Sequence, residues 1–130
     1  MKQEDKELLL KDLCARLPYG VKGNFQNSDD ELLKNITITY EYLKPNGMVM
    51  KGDIKPYLFP LSSMTEEQKK EYNRLKHEIP VCHYEYGDVV EEIELFDSPE
   101  SFKYLIKNHF DYHDLIPMGL ALDATGLNVY

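Results

Sequence analysis

The sequence contains no tryptophan, two cysteines, only two arginines, and no apolar run near the ~20 residues that a membrane-spanning helix needs. Each shortage closes a class. Two cysteines, Cys14 and Cys82, cannot build the multi-bridge framework of a small secreted domain. With Arg16 and Arg74 the only arginines and the lysines scattered among acids, no basic patch exists to follow a phosphate backbone, so direct nucleic-acid binding is not expected. Behind the charged opening Met1 to Glu7 stand only Leu8, Leu9 and Leu10, too short for the apolar core of a secretory leader. The most apolar stretch, Leu115 to Leu122, is broken by Pro117 and Gly119. The expectation is a soluble, cytoplasmic chain. No Walker loop, dinucleotide fingerprint or G-x-S-x-G elbow occurs, so no cofactor is expected, and the residues lean against an enzyme without closing that class.

What is present is ordinary for a globular protein. The 130 residues are 42% hydrophobic and 29% charged, with ten Tyr and five Phe, and no linker or repeat divides them, which fits one domain over residues 1–130. Leu9, Leu10, Leu13, Cys14 and Leu17 recur at helical spacing until Pro18-Tyr19-Gly20 stops them, with Cys14 expected as a buried thiol. Val21 to Phe25 reads as a short strand. Ile36, Ile38, Tyr40 and Tyr42 alternate with polar neighbours, a two-residue period that predicts a strand through Leu43. Lys44-Pro45-Asn46-Gly47 is turn chemistry, and Met48 to Met50 would return as the partner strand, with an edge open to homodimer pairing. Pro56 and Pro60 argue that Lys55 to Leu61 is an edge or a loop.

Thr65 and Gln68 fit a capping box at the start of a second helix carrying Tyr72, Leu75 and Ile79 on its apolar side. Val81 to Phe96 returns to strand, broken near Gly87-Asp88. Asp97 or Ser98 caps a third helix with Phe102, Leu105, Ile106 and Phe110 facing inward. The apolar tail adds one last short strand. The sum is an α+β fold, a single domain with a small antiparallel sheet and about three helices packed on it.

The net charge of −8 is unevenly placed. Between His77 and Phe102 lie Glu78, Glu85, Asp88, Glu91, Glu92, Glu94, Asp97 and Glu100, with no Lys or Arg among them. These eight of the 23 acids leave 15 outside against all 15 bases, so this one stretch carries the whole excess. Tyr84 and Tyr86 are interleaved with it. Rigid amphipathic tyrosines beside carboxylates suit a basic or amphipathic protein partner, and Tyr84, Tyr86, Glu92 and Glu94 are the candidate contacts. The plain alternative is a solvated hairpin whose charges keep it soluble.

One other constellation bears chemistry. His109 and His113 are four residues apart, with Asp111 between them and Asp114 beyond, so a continued helix would aim both imidazoles at one metal ion. The more ordinary reading is a helix end, with His109 near the last turn, Asn108 as a left-handed cap and Phe110 packed inward. No metal is expected on balance.

Three stretches, Lys11 to Lys22, Ile54 to Tyr72 and His109 to Tyr130, together resemble a group of small uncharacterised proteins encoded in prophage-like or other mobile DNA of anaerobic gut bacteria. The resemblance carries no catalytic residue and no fold. It implies a genomic setting, that of a short accessory product which binds a host or phage protein. The leading expectation is therefore a non-enzymatic interaction protein working through the acidic, Tyr-rich hairpin. The alternatives are a small metal-dependent enzyme centred on His109, Asp111 and His113, and an acidic DNA mimic that inhibits a DNA-binding protein.

Overall fold

A computed structural model describes residues 2–26, 31–43 and 53–130. The expected turn at Lys44 to Gly47 and strand at Met48 to Met50, with the dimer edge placed there, lie outside the described residues. The chain is α+β, as its patterning indicates. It divides into two compact units, one built from the chain up to Ser63 together with 106–130, the other from Met64–Leu105.

In the first unit, helix α1 (Gln3–Arg16) buries Leu9, Asp12, Leu13 and Arg16, a stripe of i, i+3, i+4 and i+7 positions. Cys14 is exposed rather than buried, because it falls on the side of the helix away from that stripe. A 3₁₀ turn through Leu17–Tyr19 ends the helix at Gly20, whose φ of +72° suits a residue without a side chain. The sheet follows with β1 (Lys22–Gln26), β2 (Leu32–Thr37), β3 (Asp53–Leu58) and β6 (Leu122–Asp123), in the order β2-β1-β3-β6. β1 pairs antiparallel with β2 on one side and with β3 on the other, but β6 runs parallel to β3, so the sheet is mixed.

Two strand expectations need correction. The alternation from Ile36 to Leu43 does not continue as strand, since β2 ends at Thr37 and Tyr40–Leu43 forms the short helix α2. Packing decides this: Ile38 is buried with its N–H on the Val21 carbonyl, and Tyr42 sets its ring edge-on to Phe25, centroids 5.9 Å apart. The segment containing Pro56 is a central strand, paired to β1 on one side and β6 on the other. Proline is tolerated because β6 meets only Tyr57 and Leu58, so no ladder runs past Pro56 on that side. Opposite it, Gly23 lies so close that a Cβ would come within 2.5 Å of the Lys55 carbonyl oxygen. The core of this unit joins Leu9, Leu13, Val21, Phe25, Ile38, Ile54, Leu58, Leu115 and Leu120.

The second unit contains α3 (Glu66–Leu75), β4 (His77–Glu85), β5 (Asp88–Phe96) and most of α4 (Pro99–Lys107). The capping box forms as expected: the Thr65 hydroxyl accepts from Gln68 N–H, and the Gln68 side chain accepts from Thr65 N–H. Ile79 belongs to β4, because α3 stops at Leu75. At α4, Ser98 and Ser101 cap reciprocally, each backbone N–H held by the other's hydroxyl. Among the described residues, no helix is long and apolar enough to cross a membrane.

Candidate functional site

β4 and β5 form a two-stranded antiparallel ribbon of nine residues per strand, about 30 Å long. A two-residue loop, Tyr86-Gly87, joins them, both residues at positive φ (52° and 87°) as a type I′ turn requires. Glu85 pairs with Asp88, and the register runs without a bulge to His77 opposite Phe96. Directly opposed residues share a face. One face therefore carries Glu78, Pro80, Cys82 and Tyr84 across from Leu95, Ile93, Glu91 and Val89. The other carries Ile79, Val81, His83 and Glu85 across from Glu94, Glu92, Val90 and Asp88.

The four candidate contacts are thus divided. Glu92 and Glu94 share one face, Tyr84 lies on the opposite one, and Tyr86 sits in the turn itself. Tyr84 keeps company with Glu78 and Glu91 instead. Alternation along each strand was legible in the sequence; which set on β4 meets which on β5 depends on the loop length, and one more loop residue would reverse it.

The ribbon is open to solvent. Tyr84 is 81% exposed, Tyr86 98%, Val89 64% and Ile93 67%, an unusual display for large apolar side chains. Tyr84 and Tyr86 make no hydrogen bond or ring contact among the described residues. On the tyrosine face, Glu78, Pro80, Glu91 and Ile93 line a shallow groove of about 360 Å³. The carboxylates are not neutralised within the unit. Lys69 and Arg74 pair with Glu66 and Glu71 on α3 itself, and Lys76 lies over the Tyr72 ring. Among the described residues no Lys or Arg reaches Glu78, Glu91, Glu92 or Glu94; His83 approaches Glu85 at 3.8 Å. Asp97 by contrast is absorbed into the fold, accepting from the Tyr72 and Ser101 hydroxyls.

The histidine cluster disperses. α4 ends at Lys107, and His109, not Asn108, takes the left-handed position at φ 64°. Its ring stacks on Tyr130, centroids 3.6 Å apart, and burial, with the nearby Arg16 charge, lowers its pKa to about 4. The Asp111 carboxylate is buried and accepts from Leu115 N–H (2.8 Å) and Ile116 N–H (2.9 Å), so it shapes the loop. His113 turns to Asp12, with Nδ1 2.8 Å from Oδ1. Among the described residues no three His, Cys, Asp or Glu side chains are placed to hold a metal ion.

The sequence reading missed the polar node behind this cluster. Arg16 grips Asp12 bidentately, Nε to Oδ2 at 2.7 Å and Nη2 to Oδ1 at 3.1 Å, both side chains fully buried. Arg16 Nη2 also donates to the Phe110 carbonyl at 2.6 Å, tying α1 to the chain beyond α4. The i,i+4 spacing of Asp12 and Arg16 was the available signal, yet such pairs are usually surface features. Comparison with protein-family models, with curated proteins and with solved structures gives no match for this chain.

Proposed function

We propose that the protein is a non-enzymatic interaction protein, which holds a basic or amphipathic segment of a protein partner on the β4–β5 ribbon. One observation carries this reading: the same ribbon displays large apolar side chains and carboxylates that no cation of its own unit satisfies. Apolar area supplies the binding energy, and unpaired carboxylates raise the encounter rate with cations and reject anionic partners. Tyr86 supports it further, since a bulky side chain at positive φ adds strain and contributes no contact to the fold. An accessory product of a mobile element, acting in the cytoplasm, is the setting this reading adopts from the resemblance.

The metal-dependent alternative has less support, because His109, Asp111 and His113 are each engaged by a different part of the first unit. The test is capture from the native host at low salt by the wild-type chain and by Glu91→Lys/Glu92→Lys/Glu94→Lys. The expected result is a protein retained by the wild type, released at high salt and lost with the charge reversals. Retention of every wild-type partner by the reversed ribbon contradicts the reading, and recovery of a DNA-binding protein that DNA displaces turns it toward DNA mimicry.

A further inference from the structure

The geometry points to the outer edge of β5 as the place where the partner's basic segment adds as a third strand. This inference rests on the ribbon being the binding surface and specifies how it binds.

The argument starts at the turn. In a hairpin closed by a two-residue type I′ loop, the pair flanking the loop exchanges both backbone hydrogen bonds, and bonded and non-bonded pairs then alternate. Glu85 with Asp88 is therefore a bonded pair, Tyr84 with Val89 is not, and the alternation continues to His77 with Phe96. The backbone N–H and C=O groups of Val89, Glu91, Ile93 and Leu95 consequently point away from β4. Those of Tyr84, Cys82 and Glu78 on β4 point away from β5, on the other side. Among the described residues no third strand pairs with either edge.

The two edges are not equivalent. Pro80 stands directly opposite Ile93, at an outward-pointing position, and has no N–H to offer. Proline there leaves the hairpin's own bonds intact and blunts the β4 edge. β5 has no proline, so its edge presents an unbroken row of donors and acceptors.

Charge then selects the occupant. Pairing β5 with β5 of a second copy, antiparallel across a two-fold axis, opposes carboxylates in each central register. Centring on Val90 sets Asp88 against Glu92, and centring on Ile93 sets Glu92 against Glu94. Centring on Glu91, Glu92 or Glu94 sets that residue against itself. Like charges directly opposed are destabilising, so the edge rejects its own kind. A strand with cations on one face, opposite Glu92 and Glu94, and apolar residues on the other, opposite Val89 and Ile93, satisfies both. The inferred partner segment is an extended stretch of alternating basic and apolar residues.

The probe is a capped peptide of four Lys-Val repeats, with the Glu-Val peptide as its counterpart, titrated into the full-length chain. Amide hydrogen exchange read residue by residue by NMR should slow at Val89, Glu91, Ile93 and Leu95 on adding the Lys-Val peptide. Cys82 and Tyr84 on the other edge should be unaffected, and the Glu-Val peptide should do nothing. Ile93→Pro, which removes one outward donor and mirrors the proline already opposite, should weaken binding roughly five- to tenfold. The exchange pattern in the wild-type chain decides the matter even if that variant fails to fold. Binding that Glu92→Lys abolishes, without protection of the four β5 amides, overturns edge addition and leaves the ribbon surface standing. Absence of any Lys-Val binding overturns both. Concentration-dependent protection of β5 without peptide identifies a second copy as the occupant and overturns the choice of partner.

Discussion

His109 lies flat against Tyr130, their planes 9° from parallel and their centroids 3.6 Å apart. The imidazole Nδ1 is buried without a hydrogen-bond partner among the described residues, and Arg16 Nη1 shares that condition. The burial of Nδ1 and the nearby Arg16 charge both disfavour the imidazolium: the ring nitrogen is shielded from water, and the guanidinium repels a second positive charge.

Acid stability follows from this. The His109 pKa, about 4 in the fold, is below the ordinary value of 6.5, so the unfolded chain binds the extra proton first as pH falls. The stabilising contribution is complete above pH 6.5 and is lost progressively toward pH 4. Urea midpoints measured across that window should fall with pH. His109→Asn, which removes the titrating ring and suits the left-handed backbone, should flatten that part of the profile. An unchanged slope in the variant contradicts the assignment.

The opposite sign applies to Tyr130. Its hydroxyl accepts from Lys22 N–H at 2.9 Å and donates to the Tyr57 carbonyl at 2.7 Å, and burial raises its pKa to about 12. Between the ordinary value of 10 and about 12 the folded chain keeps a proton that the unfolded chain has released, so stability falls as pH rises through that interval. Tyr130→Phe should cost about 1–2 kcal/mol at neutral pH and reduce the alkaline loss, as read by chemical denaturation.

Asp12 and Arg16 are a buried pair whose members depend on each other. Arg16→Met leaves the Asp12 carboxylate facing only His113, and should destabilise by about 3–5 kcal/mol. Asp12→Leu with Arg16→Met should cost less than the sum of the two single changes, because no uncompensated charge remains. Additive losses in that cycle would show that the two groups act independently.

Tyr86 separates stability from binding. Tyr86→Asn places Asn-Gly in the type I′ turn, where asparagine accepts positive φ readily, and should stabilise the hairpin by roughly 1 kcal/mol. The same change removes a tyrosine that is 98% exposed and should weaken partner capture. A more stable variant with undiminished capture means the turn tyrosine is not part of the surface.

Much of this molecule was legible residue by residue. The capping box at Thr65, the serine cap before Pro99 and the breaker at Gly20 depend on neighbours within a few positions, and each formed where the sequence indicates. What escaped depends on distant contacts. Tyr40 and Tyr42 alternate like a strand, yet Phe25 holds Tyr42 from across the unit and the backbone turns helical. Pro56 reads as an edge signal, although the strand parallel to β3 comes from residues more than sixty positions later. The acidic ribbon was visible as a run of carboxylates without cations, but its division into a tyrosine face and a Glu92/Glu94 face is a property of hairpin register.

The central claim is that a basic segment meets this chain on the β4–β5 ribbon and nowhere else. Backbone chemical shifts of the full chain, followed during titration with a lysine-rich peptide, measure this directly. The account predicts perturbations confined to 77–96 that vanish as salt is added. Perturbations centred instead on the acidic starts of α1 and α3, at Glu4, Asp5, Glu66 and Glu67, would contradict it.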